Sequence, residues 1–172
     1  MTAKATDAQS PDSMHVSADV RAAITDLDSR WAWAIDHRDY EALREILAPG
    51  VRYVGHSGEL HGIDEVIASY QSRTGHRTTR HGLSNQVLWR EGTSTVRGES
   101  TWHNFASNES PPGPPQVYLI ADFLDTYVRL DGSWRLEKRV IRGVFRDPGL
   151  APAGPHLPDQ NGPLGSQACA SG

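Results

Sequence analysis

The chain has 172 residues, of which 37% are hydrophobic and 22% charged, so one domain with a buried core is expected and wholesale disorder is not. A formal net charge of −4 and the lack of any lysine- or arginine-rich run argue against a nucleic acid or an anionic membrane as partner. No apolar stretch nears the roughly 18–20 residues of a membrane span, residues 1–17 carry no secretory-type apolar run, and the lone Cys169 excludes an internal disulfide framework, so a soluble, cytoplasmic protein is expected.

Residues 1–16 are small and polar and read as a flexible lead; the folded unit is expected over 17–147, followed by a tail, 148–172, in which ten of 25 residues are Pro or Gly. Ser17 is a candidate N-cap with Asp19 in the first turn. Val20, Ala23, Ile24, Leu27, Trp31 and Ala34 then recur at helical spacing. The run Ala32-Trp33-Ala34-Ile35 is apolar around the circumference, so that end of the helix should be enclosed on more than one side. A second helix is predicted over Tyr40–Leu47, stopped by Ala48-Pro49-Gly50. A short strand follows at Val51–Val54, a tight hairpin at Ser57–Gly62, and a third helix at Asp64–Ser72 with Val66, Ile67 and Tyr70 on one face. Long strands are predicted at 81–89, 93–105, 117–130 and 134–146, with Asp131-Gly132 turning the last pair and a stiff proline-rich loop at 105–116. Helices first and long antiparallel strands last make an α+β domain with helices on one face of a sheet.

Alternation places His81, Leu83, Asn85, Val87 and Trp89 on one face of their strand. His81 and Asn85 are there either satisfied polar groups or polar groups set in an apolar pocket. Asp36 closes the first helix, where a carboxylate opposes the dipole, and it lies about 140° from Trp31 on the helical wheel. Periodicity therefore leaves open whether it faces solvent or the interior. Arg139 shares strand parity with Arg135, Ile141 and Phe145, a conflict that only a bulge resolves; a surface arginine is the plain alternative. His56, His61 and His76 cluster in sequence without metal-ligand spacing, and no phosphate loop, nucleophile elbow or reactive cysteine is present, so no metal or cofactor is expected. Trp31, Trp33, Trp89, Trp102, Tyr53, Phe123 and Tyr127 are either cavity lining or ordinary aromatic core.

The run AAITDLDSRWAWAIDHRDYEALREILAPGVRYVG, then ELHGIDEVIASY, TRHGLSNQVLW and DTYVRLDGSWRLEKR, resembles the SnoaL-like group of the nuclear-transport-factor-2-like superfamily over residues 20–147. That group includes polyketide cyclases, scytalone dehydratase, bile acid 7α-dehydratase and hexachlorocyclohexane dehydrochlorinase. The resemblance implies a cone: a strongly curved, mostly antiparallel mixed sheet closed by three N-terminal helices around an apolar pocket. It also implies a homo-oligomer, dimer or trimer. The branch's acid at the end of the first helix and its histidine opening the third strand match Asp36 and His81. Its arginine, five residues past the tryptophan of the last strand, matches Arg139 after Trp134, and the asparagine of the histidine motif matches Asn85. The position that usually serves the leaving group is Trp31, whose indole donates a hydrogen bond but is no acid near neutrality.

These matches imply a cofactor-independent lyase or isomerase on a hydrophobic small molecule. His81 is the general base, Asp36 its orienting acid and Arg139 the holder of a developing anion. Trp31, Asn85, Tyr53, Trp102, Phe123 and Tyr127 are expected around the substrate. A non-catalytic binding module or small subunit, and a cofactor-free oxygenase acting on an aromatic polyketide, are the alternatives.

Overall fold

A computed structural model describes residues 15–55, 58–73 and 76–152. The expected lead (except its last residues), the hairpin tip with His56, and the tail beyond residue 152 lie outside them. Helix α1 spans Ala18–His37 and starts where expected, Ser17 accepting a hydrogen bond from the Val20 amide. Its buried stripe is Ile24, Leu27, Trp31, Ala34 and Ile35, joined by Asp28, whereas Ala23 is exposed. Ala32, Ala34 and Ile35 are enclosed as the apolar run predicts, but Trp33 is 68% exposed and stacks on His37 at the helix surface. Trp33 is thereby excluded from the interior.

Helix α2 runs Tyr40–Ile46, capped by Asp39. Ala48-Pro49-Gly50 does not end it in a loop: these residues already belong to strand β1, Leu47–Gly55. Proline is tolerated there because the β1–β6 ladder is interrupted between Leu47 and Arg52. Strand β2, Gly58–His61, pairs antiparallel with β1, and helix α3, Gly62–Gln71, buries Val66 and Ile67. Then come the long strands β3 (Thr78–Arg90), β4 (Thr95–Ser107), β5 (Val117–Leu130) and β6 (Ser133–Arg146). Asp131 and Gly132 both have positive φ, 49° and 83°, the backbone that a tight two-residue hairpin requires.

The sheet order is β2-β1-β6-β5-β4-β3, antiparallel throughout except for the parallel β1–β6 pair. It is an open, curved sheet with the three helices on its inner face, and α1 packs against β3 and β6. Curvature has identifiable sources, since a bulged strand bends and twists more strongly. In β6 the register steps from Lys138 opposite Thr126 to Leu136 opposite Tyr127, leaving Glu137 as an extra residue, and it steps again at Val144. The first bulge removes the parity conflict around Arg139. Leu136 and Arg139, three apart, both turn inward and are fully buried. The second sends Phe145 outward, 66% exposed.

Candidate active site

Asp36 and His81 meet where the last turn of α1 lies against the start of β3. The Asp36 carboxylate is held by three donors: Thr79 Oγ1 at 2.7 Å and His81 Nδ1 at 2.6 Å to Oδ1, and the His81 amide at 2.9 Å to Oδ2. Both side chains are nearly closed off, 8% exposed for His81 and 6% for Asp36. Burial pulls the Asp36 carboxyl upward, but the imidazole and the hydroxyl and amide donors outweigh it and hold it below its ordinary value. A carboxylate accepting from Nδ1 fixes the tautomer, so Nε2 carries the lone pair; among the described residues Nε2 has no hydrogen-bond partner. The helical wheel left Asp36 open because its orientation depends on β3, an element some forty residues later in the chain (Thr79 and His81).

Trp31, 1% exposed, stands edge-to-face with His81, with ring centroids 5.4 Å apart. It packs in the same way on Trp102 and Phe123, at 5.3 and 5.8 Å, and these two rings stack on each other at 5.1 Å. The Arg139 guanidinium lies over the Trp31 ring, 4.2 Å from its centroid. Trp31 thus links the dyad to the arginine. Among the described residues these rings pack together inside the sheet, and a cleft is lined by Ile35, Asp36, Tyr40, Tyr70 and Thr79.

Arg139 is not a surface residue. It is 0% exposed and forks onto Asp125, Nε to Oδ1 at 2.8 Å and Nη2 to Oδ2 at 2.7 Å, while Nη2 also reaches Asp28 Oδ1 at 2.8 Å. Burial lowers its proton affinity, yet the charge and hydrogen bonds of Asp125, with the charge of Asp28 behind them, outweigh that and raise it. Asp28 is pushed up to about 6 by burial, opposed by Arg139 and assisted by Asp125. Tyr127, 0% exposed, has its hydroxyl 2.8 Å from Asp28 Oδ2 and 3.0 Å from Asp125 Oδ2. Gln86 donates to the same Asp28 oxygen at 2.7 Å. In this cluster the buried donors Arg139 Nη1 and Trp31 Nε1 have no partner among the described residues. Arg139, expected to hold a developing anion, has its charge shared by two carboxylates and its guanidinium set over aromatic rings.

Asn85 is also corrected. The β3–β4 register shifts between Ser84 and Val87, Asn85 takes a positive φ of 50°, and its side chain is exposed. The bulge switches parity, so His81 and Leu83 point inward before it and Gln86 and Leu88 after it; Val87, predicted inward, is 59% exposed. Gln86 occupies the place expected for Asn85. Trp102, Phe123 and Tyr127 do lie in the interior, and Tyr53 is 5% exposed with its hydroxyl 2.7 Å from that of Tyr70. Burial first, and then Tyr70, push the Tyr53 phenol well up. His61 faces Glu59 at 3.1 Å on β2, and among the described residues no three potential metal ligands gather.

Sequence reasoning missed Asp28, Asp125 and Thr79, although the signals were present. Asp28 sits four after Ile24 and three before Trp31, inside the apolar stripe of α1. Asp125 alternates with Ala121, Phe123 and Tyr127 on the inward parity of β5. Thr79 shares that of His81.

Three solved structures illustrate the fold. Aln2 from a Streptomyces species aligns with TM-score 0.68 and 20% identity, over 74% of this chain and 93% of its own. A protein with a cystatin-like fold from Nostoc punctiforme aligns with TM-score 0.66 and 23% identity, over 80% and 98%. A candidate scytalone dehydratase from Novosphingobium aromaticivorans aligns with TM-score 0.67 and 17% identity, over 86% and 95%. Comparison with curated protein sequences finds no match. Among the described residues, no helix is long and apolar enough to cross a membrane. The SnoaL-like domain family matches residues 16–140, which include Asp36, His81 and Arg139, and this chain belongs to that family.

Proposed function

We propose that the protein is a lyase or isomerase of the dehydratase or cyclase kind, acting on a hydrophobic small molecule by general base catalysis. His81 Nε2 takes a proton from a carbon next to a carbonyl or β to a leaving group. Asp36 holds the Nδ1–H and stabilises the imidazolium that forms. The observation that supports this reading is the 2.6 Å contact of His81 Nδ1 with Asp36, in a nearly dry setting that leaves Nε2 unpartnered among the described residues. Arg139 acts in this reading through Trp31, whose ring it packs against His81, as a positioning residue.

The packed ring layer supports a second reading, a binding module without turnover. Incubating the protein in D2O with a panel of apolar aryl ketones and following α-proton exchange by NMR separates the two. General base catalysis contributes about 10²–10⁴-fold. Exchange by the native chain that falls at least that far in His81→Ala supports catalysis. Exchange that survives His81→Ala overturns it, and ligand-induced thermal stabilisation with neither exchange nor product supports the binding module. Oxygen uptake on substrate addition identifies an oxygenase instead.

A further inference from the structure

The cleft that reaches Asp36 and Thr79 is lined on its other sides by Arg38, Arg73 and Arg77, together with Tyr70. None of these three guanidiniums has a carboxylate within ion-pair distance among the described residues; the described arginine ion pairs belong to Arg30, Arg44, Arg52, Arg97 and Arg139. Arg38 sits in the left-handed cap of α1 at φ 58°, an uncommon conformation for a long side chain, and its Nη2 donates to the Arg77 carbonyl at 3.4 Å. Arg73 lies over the Tyr70 ring at 4.2 Å. Arg77 is anchored by Asn108 Oδ1 at 2.7 Å and the Leu150 carbonyl at 2.6 Å, and among the described residues its buried Nε has no partner. Burial, with Arg73 adding to it, lowers the proton affinity of Arg77, so an anion in the cleft would relieve it.

The charges around the cleft are thus three cations and one carboxylate, Asp36, whose oxygens already accept from His81 and Thr79, leaving positive charge in excess. A cationic pocket with fixed, forked donors fits an oxyanion in the plane of a guanidinium. Ile35, Tyr40 and Tyr70 on the same cleft give an apolar body a surface beside those donors, which suits an organic carboxylate better than a bare phosphate. We propose that this cleft binds the carboxylate of an otherwise apolar organic acid, held by Arg38, Arg73 and Arg77. The inference rests on the general-base reading and deepens it by making the substrate an acid, whose charged end lies beside Asp36 and Thr79.

The test is titration calorimetry at low salt with benzoate and 2-naphthoate against the uncharged benzamide and 2-naphthamide, and with inorganic phosphate. At least one acid is expected to bind tenfold or more tighter than its amide, with affinity falling as NaCl rises. Arg38→Gln/Arg73→Gln should abolish that preference, while His81→Ala keeps it, so loss of general base catalysis and loss of anion binding are read separately. Equal binding of acids and amides, no detectable binding of any acid, a preference that survives the double arginine variant, or tighter binding of phosphate than of either acid would each overturn the proposal.

Discussion

Asp36 owes its low proton affinity to three donors, and the sign of its contribution to stability follows. A carboxyl depressed in the folded state stabilises above its unfolded pKa of about 3.9 and loses that contribution as pH falls through the folded value. Asp36→Asn should therefore lower the melting temperature at pH 7, and the gap to the native chain should close as the pH falls below about 4. Melting curves across that range check it. Asp28 runs the other way: raised to about 6 by burial, it contributes less to stability as pH climbs from about 4 towards 6. Arg139 is the largest single liability. Removing it strands Asp28 and Asp125, both essentially buried, and Arg139→Met is expected to cost about 3–5 kcal/mol in urea unfolding. Arg139→Lys should recover only part of this, because an ammonium cannot span Asp125 by two bonds and Asp28 by a third.

At the scale of elements, bulges decide which residues reach the interior. Strict alternation put Asn85 and Val87 inside, and it failed at one residue of positive φ. Asparagine tolerates that conformation, whereas a β-branched residue there is strained by about 1–2 kcal/mol. Asn85→Gly should thus be close to neutral in stability. Asn85→Val should destabilise by at least ~1 kcal/mol and loosen the Gln86–Asp28 bond, visible as a shifted Gln86 side-chain amide signal in NMR. The same principle made Arg139 legible in part. Parity alone conflicted with Arg135, and the bulge at Glu137 is what lets both Leu136 and Arg139 turn inward. Bulges are set by cross-strand partners distant in sequence, so local pattern signals the conflict without locating its resolution.

Over the whole molecule, element types and order were legible because the helical stripes and the long strands are strongly periodic and the Asp131-Gly132 turn is specific. Boundaries moved where tertiary pairing overrode local chemistry, as at Ala48-Pro49-Gly50, which lies within β1 between the two stretches, at Leu47 and from Arg52, that pair with β6. The two halves of the candidate dyad come from residues 45 apart, so their meeting was readable from the family resemblance and not from either segment alone. The buried acids Asp28 and Asp125 went unread because carboxylates are rarely interior, and only a partner such as Arg139 makes them so. The proposed chemistry depends on Asp36 dictating which nitrogen of His81 is free. The direct measurement is ¹⁵N NMR of the labelled protein, assigning the His81 ring at a pH where it is neutral. A ring protonated at Nδ1, with a proton-free Nε2, is the predicted result; a ring protonated at Nε2 would leave no lone pair for the reaction and contradict general base catalysis by His81.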